Sequence, residues 1–316
     1  MSSTLPVPPA LAEALRLLGP GFNLPQVQAL YQPLLADQPR SDVRLLADQA
    51  YGSHPRYRAD VYLPESPEAT PPSDGWPVLV CFHGGGFIRG DKSQRANMGW
   101  HFARSGVLTV VPNYRLAPES CWPSGPQDVV AAWSWLRRDI AKLGGNPDAI
   151  ILLGESAGAA HVAAATLIRR FQPVGWSPAG AVVVSGPYDA RLEGMARAQF
   201  GIATPDPRNE AYFGAAPGAW KAASIVEHVD AAPLPLLISF AERDLLQMQV
   251  QAGALFSRLV SAHAFQPELL MVRDHNHFSQ GYSVGTGDDS LAGPVLEFVR
   301  RVHEKVTRQV RIDRQS

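Results

Sequence analysis

The chain is poor in cysteine, in long apolar runs and in an excess of either charge. Cys81 and Cys121 are its two cysteines in 316 residues, and Cys81 lies inside an apolar run, which predicts a buried thiol and a cytoplasmic location. Lys and Arg number 28 against 29 Asp and Glu, which excludes the basic surplus typical of nucleic-acid binding. No run approaches the roughly 20 apolar residues of a membrane span. Residues 1–18 lack the cationic start and long apolar stretch of a signal peptide.

The chain is instead rich in short apolar runs that alternate with helical patterns. Hydrophobic residues make up 46% and charged residues 18% of the sequence, which is typical of a soluble enzyme with a sizeable core. From about residue 42 the alternation predicts an α/β fold, with a mostly parallel central sheet and helices on both faces.

The segment Gly-Glu-Ser-Ala-Gly at 154–158 is the most informative in the sequence. It follows an apolar run and opens a small-residue segment at 157–167, so we expect a strand, a sharp turn and a helix. A serine at such a turn is lifted out of the sheet with its hydroxyl accessible. Glycine on either side avoids collision with the adjoining strand and helix. This pattern predicts Ser156 as a catalytic nucleophile.

A glycine loop, His-Gly-Gly-Gly-Phe, follows an earlier apolar run and begins at His83. The N–H groups of such a loop can converge on one point, and donors aimed at a developing oxyanion usually give the largest catalytic contribution. We assign the N–H groups of Gly85, Gly86 and Ala157 to an oxyanion hole, and His83 to the orientation of the loop. The alternative is a phosphate-binding loop, but neither a Lys-Ser/Thr pair nor a dinucleotide spacing follows.

The acid and the base are expected after two later apolar runs. An Ala-Glu-Arg-Asp segment ends at Asp244, and a His-Asn-His-Phe segment contains His277. The chain order of serine, acid and histidine is the order of an α/β-hydrolase. We predict that His277 takes the Ser156 proton and that Asp244 holds the imidazole in the correct tautomer. Asp189, just after another strand pattern, is the fallback acid.

These motifs and the block Asn-Tyr-Arg-Leu-Ala-Pro-Glu at 113–119 resemble those of α/β-hydrolase-fold carboxylesterases of the hormone-sensitive-lipase-like group. The resemblance covers about residues 57–299. Glu155 stands where that group usually has Asp, and the acid motif differs from its usual Asp-Pro-Leu-x-Asp. The His-Asn-His-Phe ending is more similar to arylformamidases and bacterial feruloyl-esterase-like enzymes. The resemblance implies an α/β-hydrolase fold with a partial lid.

The same fold analogy suggests how the chain is divided. Residues 1–40 contain two short helical patterns and are expected to form an N-terminal helical lid segment, with ordinary packing helices as the alternative. Residues 41–316 are expected to form the catalytic domain. Within it, a long irregular stretch at about 187–233 resembles a cap-like insertion.

Aromatic residues near the motifs are the expected walls of the substrate pocket. They are Phe87, Tyr188, Tyr212, Phe213, Trp220 and Phe278. For those in the insertion, a place in the cap core is the alternative. The pair His275 and His277, with Asp274, Asp288 and Asp289 nearby, suggests a metal site, but the helical His pair with a Glu is missing and the predicted triad needs His277. We therefore expect no metal and no cofactor.

The sequence predicts a serine esterase that hydrolyses small to medium carboxylic esters through an acyl-enzyme intermediate. Its expected partner is a small-molecule ester, with no nucleic acid and no membrane span, and the sequence leaves a homodimer open. One alternative is an arylformamidase that uses the same three residues. The other is a small-molecule receptor without turnover, which would gain nothing from an intact serine, acid and histidine.

Overall fold

The computed structural model describes residues 7–21, 23–65, 70–193, 207–231 and 234–313. Within these ranges the apolar runs form the strands of one sheet. The strands are β1 (Val43–Ala50), β2 (Arg58–Pro64), β3 (Trp76–Phe82), β4 (Leu108–Pro112), β5 (Gly145–Glu155), β6 (Gly180–Val184), β7 (Leu236–Arg243) and β8 (Glu268–Asn276). Their spatial order is β1-β2-β4-β3-β5-β6-β7-β8. The β1–β2 and β2–β4 pairs are antiparallel and the others parallel, which confirms the mostly parallel sheet.

Helices cover both faces of this sheet. They are α1 (Pro9–Leu18), α2 (Leu24–Ala36), α3 (Ala96–Arg104), α4 (Ser124–Asp139), α5 (Ala157–Leu167), α6 (Pro207–Phe213), α7 (Pro217–Ala223), α8 (Leu246–His263), α9 (Ser279–Ser283) and α10 (Ala292–Asp313). Because side chains alternate along a strand, Val78 and Val80 of β3 belong to the core cluster that includes α4, α5 and α8, whereas Leu79 and Cys81 belong to the cluster that includes α3 and α10. Cys81 is buried and unbridged, as the sequence predicts.

The N-terminal helices α1 and α2 form a separate apolar cluster with α9. Leu15, Val27 and Tyr31 are fully buried there and pack with Tyr282 of α9, while Phe278 lies partly buried against the cluster. A lid role for these helices stays a prediction. Residues 1–6 and 22 of the expected lid, and 194–206 and 232–233 of the expected insertion, lie outside the described residues.

The carboxyl ends of parallel strands meet at one edge of the sheet, where ligand sites of such folds are found. The glycine loop follows β3, Ser156 follows β5, Asp244 follows β7 and His277 follows β8. The topology therefore brings four segments that are distant in sequence to one place. No helix within the described ranges is long and apolar enough to cross a membrane.

Candidate active site

The turn between β5 and α5 holds Ser156 in a strained backbone conformation. Its φ is 53° and its ψ is −117°, a region that residues other than glycine rarely adopt. A Cβ added at Gly154 would lie 2.3 Å from the carbonyl oxygen of Gly158, and one added at Gly158 would lie 2.3 Å from the carbonyl oxygen of Phe82. Both glycines are therefore required for the close approach of strand and helix that presents the serine.

Ser156, His277 and Asp244 form a continuous hydrogen-bonded chain. The distance from His277 Nε2 to Ser156 Oγ is 3.1 Å, and the distance from His277 Nδ1 to Asp244 Oδ1 is 2.7 Å. Asp244 is fully buried, and His277 is 4% exposed. This arrangement suits proton transfer from the serine hydroxyl to the imidazole, because both distances are within hydrogen-bond reach.

The surroundings of His277 favour its protonated form. Burial opposes the charge, but the charge and hydrogen bond of Asp244, together with the charges of Glu155 and Glu193, outweigh burial and raise the pKa of His277 above its ordinary value of 6.5. The imidazole is therefore more basic than a free histidine. A base with a pKa near neutrality can accept a proton and return it within one cycle.

The glycine loop lies directly against this chain. A Cβ at Gly84 would stand 3.2 Å from Ser156 Cβ, and one at Gly85, where φ is 141°, would stand 1.8 Å from the carbonyl oxygen of Arg89. Among the described residues, the N–H groups of Gly85, Gly86 and Ala157 appear in no backbone hydrogen bond outside helices and strands. They are thus available to an oxyanion, although their role stays a prediction.

His83 supports the loop as a neutral side chain. It is buried, stacks on Tyr114 with ring centroids 4.3 Å apart, and its Nδ1 lies 2.7 Å from the carbonyl oxygen of Gly84. Burial lowers the pKa of His83 to about 4. An orienting role for His83 is consistent with these contacts.

A cleft opens over Ser156 and encloses about 840 Å³ of empty space, part of it open to solvent. Phe87 and Phe278, two of the six expected pocket residues, line it. The other described residues along it include Leu24 of α2, the glycine loop, Pro187, Leu245, Met248 and Tyr282, and the polar side chains of Arg89, Gln94, Arg95, Glu155, Glu193, Arg208 and Asn209. Leu24 brings the expected lid segment to the cleft.

Four expected pocket residues do not belong to this cleft wall. Tyr212 stacks on Phe87 at 4.5 Å, and Phe213 meets the same ring edge-on at 5.0 Å. Trp220 donates to the carbonyl oxygen of Gly214, and Tyr188 is fully buried in the core. Tyr212 and Phe213 therefore support Phe87 from behind, and none of the four is among the described residues that line the cleft. For those in the insertion, a place in the core is the alternative to a pocket wall that the sequence leaves open.

Glu155 and Arg95 form a buried ion pair beneath the nucleophile turn. The carboxylate accepts two hydrogen bonds from the guanidinium, one of them 2.6 Å long. The guanidinium carbon lies 4.7 Å from the ring centroid of Tyr282. Glu155 therefore ties the turn to α9, which is a structural position. No pattern near Arg95 in the sequence signals this contact.

The fallback acid lies in a different network. Asp189 accepts hydrogen bonds from Arg191 Nη2 at 3.0 Å and from Ser224 Oγ at 2.7 Å, and the carboxylate that bonds to His277 is Asp244. The geometry therefore favours Asp244 over Asp189 as the acid.

A second Ser–His–Asp arrangement lies next to the first. His275 Nδ1 is 2.9 Å from Ser279 Oγ, and His275 Nε2 is 3.0 Å from Asp288 Oδ2. The side chains of His275 and Asp288 are fully buried, and so is Ser279. Within the described part of the chain, no group of three or more His, Cys, Asp or Glu side chains is arranged to hold a metal ion.

A mostly parallel sheet that carries a serine turn, an acid and a histidine at the carboxyl ends of its strands defines an α/β-hydrolase. The chain belongs to the alpha/beta hydrolase fold family, whose model matches residues 79–277. The expected fold class is thereby confirmed.

Solved structures with the same fold cover nearly the whole chain. It is similar to a structure described as bacterial heroin esterase, with a TM-score of 0.72, 25% identity and coverage of 94% of this chain and 98% of that chain. Esterase B from Lactobacillus Rhamnosis superposes with a TM-score of 0.75 at 16% identity, over 97% of this chain and 98% of that chain. The second likeness shows the fold alone.

Curated relatives match a smaller part. A probable isoprenylcysteine alpha-carbonyl methylesterase of Arabidopsis thaliana is 32% identical over 175 residues, which are 53% of this chain and 37% of that protein. The chain therefore spans less than half the length of this relative.

Proposed function

We propose that the protein is a serine esterase that hydrolyses small to medium carboxylic esters through an acyl-enzyme intermediate. The observation that carries the proposal is the hydrogen-bonded chain from Ser156 through His277 to Asp244 at the floor of an open cleft. Relatives and structural neighbours described as esterases support ester hydrolysis.

In the first half of the proposed cycle, Ser156 Oγ attacks the ester carbonyl while His277 Nε2 takes its proton. The new oxyanion is stabilised by the N–H groups of Gly85, Gly86 and Ala157. His277 then protonates the departing alcohol, and the acyl group stays on Ser156. Asp244 stabilises the imidazolium and fixes its tautomer throughout.

In the second half, His277 removes a proton from water, and the resulting hydroxide equivalent attacks the acyl carbonyl. Collapse of the second tetrahedral intermediate releases the carboxylic acid and returns the proton from His277 to Ser156. All groups needed are side chains and N–H groups of this chain, so the proposed cycle requires no cofactor.

The substrate range is proposed from the shape of the cleft. Leu24, Phe278 and Tyr282 line it on the side of the N-terminal helices, and Phe87 lines it on the side of the glycine loop. A cleft of limited volume cannot bury a long acyl chain, so we expect kcat/KM to fall sharply beyond about eight to ten acyl carbons.

A substrate series tests this proposal against the two alternatives. We expect p-nitrophenyl acetate and butyrate to be hydrolysed readily, with a steep loss for longer esters. If N-formylkynurenine is preferred by more than about tenfold, which is roughly 1.4 kcal/mol of transition-state stabilisation, the protein is an arylformamidase. If no ester and no formamide is turned over, the protein is a receptor on this fold.

A further inference from the structure

We propose that Ser185 is a positioning residue of this reaction, whose hydroxyl holds the Asp244 carboxylate in the orientation that His277 requires. The inference rests on the proposed serine-esterase function. Ser185 directly follows β6 and is fully buried. Its Oγ donates a hydrogen bond to Asp244 Oδ2, on the oxygen that His277 does not use.

The hydrogen-bond donors to the Asp244 carboxylate come from different parts of the fold. Oδ1 accepts from His277 Nδ1 at 2.7 Å and from the N–H of Leu245 at 2.9 Å, and Oδ2 accepts from the N–H of Ala241 at 3.1 Å and from Ser185. The two N–H donors belong to β7 and to the turn that directly follows it, the segment that carries Asp244 itself. Ser185 follows the neighbouring strand β6, so its bond ties the acid to a second strand of the sheet.

Gln280 connects this anchor to the base. Its Nε2 donates to Ser185 Oγ at 2.5 Å and lies 3.3 Å from the carbonyl oxygen of His277. A serine hydroxyl has one proton to donate. Since Ser185 receives a hydrogen bond from Gln280, its own proton is directed to Asp244. The network thus joins the backbone of the base to the side chain of the acid.

The backbone at Ser185 gives an independent reason to assign a role to its side chain. Its φ is 51°, in the left-handed region that glycine adopts without strain. A hydroxyl-bearing residue is held there although the conformation alone would favour glycine. The feature that glycine lacks is the Oγ that reaches Asp244.

The test compares Ser185→Ala and Ser185→Gly with Ser239→Ala in purified full-length protein, using p-nitrophenyl acetate. Ser239 is a fully buried serine of the adjacent strand β7, and its Oγ has no hydrogen-bond partner within the described residues, so it controls for the loss of a buried hydroxyl. We expect both Ser185 variants to lower kcat about tenfold and Ser239→Ala to leave it unchanged.

The pH profile distinguishes positioning from a purely structural role. With one donor fewer, the Asp244 carboxylate holds the imidazolium more strongly and raises the pKa of His277. The pH below which kcat/KM declines, the acid limb of the profile, should therefore rise by about half a pH unit in both Ser185 variants. Values of kcat and a pH limb equal to those of Ser239→Ala would overturn the proposal. A loss in Ser185→Ala but not in Ser185→Gly would assign the effect to backbone strain and also overturn it.

Circular dichroism establishes that the variants are folded. If the Ser185 variants do not fold, Gln280→Met carries the test, with an expected loss of about threefold in kcat and an acid limb shifted in the same direction. An unchanged profile in that variant overturns the inference. An inactive wild type would overturn the esterase proposal together with this one, whereas an active wild type with unaffected Ser185 and Gln280 variants overturns this one alone.

Discussion

The two Ser–His–Asp arrangements at the end of β8 have the same residue types and similar distances, yet they differ in access and in backbone. His277 joins Asp244 to Ser156, which lies partly exposed on a strained turn at the floor of the cleft. His275 joins Asp288 to Ser279, which is completely buried. His275 lies within β8, whereas His277 follows the end of the strand, so the two histidines reach different networks.

The difference teaches that the residue types and their proximity alone do not make a nucleophile, and the contact between His275 Nε2 and Asp288 Oδ2 is an ion pair without hydrogen-bond geometry within the described residues. Ser279 Oγ accepts a hydrogen bond from the N–H of Asn276 at 2.9 Å. Ser279 is not among the described residues that line the cleft. Ser156 has the glycine loop beside it, whose N–H groups can stabilise an oxyanion. We therefore expect the reaction at the first arrangement and only a structural role for the second.

The largest expected effect separates the two serines. Ser156→Ala should lower kcat by at least about 10³-fold, because the three residues of a triad act as a unit. Ser279→Ala, a matched removal of one hydroxyl, should keep kcat within about tenfold of wild type. The measurement is kcat for p-nitrophenyl acetate on variants whose folded state is verified by circular dichroism. Near-normal turnover in Ser156→Ala would refute the assignment.

A second comparison concerns the two acids. Asp244→Asn should reduce kcat by about 10²- to 10⁴-fold, because an amide cannot hold the imidazole in the required tautomer. Asp288→Asn should change kcat less than tenfold but lower the free energy of unfolding by about 1–3 kcal/mol, since buried His275 loses its charged partner.

Urea denaturation and steady-state kinetics on the two variants measure these effects. Glu242→Gln serves as a control near Asp244, because its carboxylate contacts the N–H of Asp274 rather than His277. Equal losses of kcat in Asp244→Asn, Asp288→Asn and Glu242→Gln would contradict the assignment of Asp244 as the acid. A loss of kcat found only in a further variant, Asp189→Asn, would contradict it as well.

The smallest expected effect is a pH dependence that His277 controls. The imidazole accepts the Ser156 proton only when neutral, and Asp244 raises the pKa of His277. Activity should therefore be fully present at alkaline pH and decline about tenfold per pH unit below an acid limb that lies above 6.5. A kcat/KM profile that stays flat down to pH 5 would exclude a histidine base.

The sequence predicts the fold and the proximity of Ser156, Asp244 and His277 because their signals are local. The turn at 154–158, the glycine loop and the order of apolar runs each depend on neighbours along the chain, and parallel strands then bring their carboxyl ends together. The assignments of Ser156, Asp244 and His277 agree with the geometry for this reason.

Contacts between distant segments have no such signal. Ser185 and Asp244 are 59 positions apart, and Arg95 and Glu155 are 60 apart. Isolated serine and arginine residues do not reveal those pairings in one sequence. The aromatic side chains of the insertion were ambiguous for a related reason: Tyr212 packs equally well in a core or along a pocket, and its stacking on Phe87 decides the matter.

The central claim is that Ser156, and not its buried counterpart Ser279, carries the acyl group. A p-nitrophenyl alkylphosphonate tests it directly, because the reagent transfers a stable phosphonyl group to an activated serine. We expect one equivalent of phosphonyl on the peptide that contains Ser156, loss of esterase activity in parallel, and no label in Ser156→Ala. Inactivation with the label on Ser279, or full activity after stoichiometric labelling of Ser156, would contradict the account.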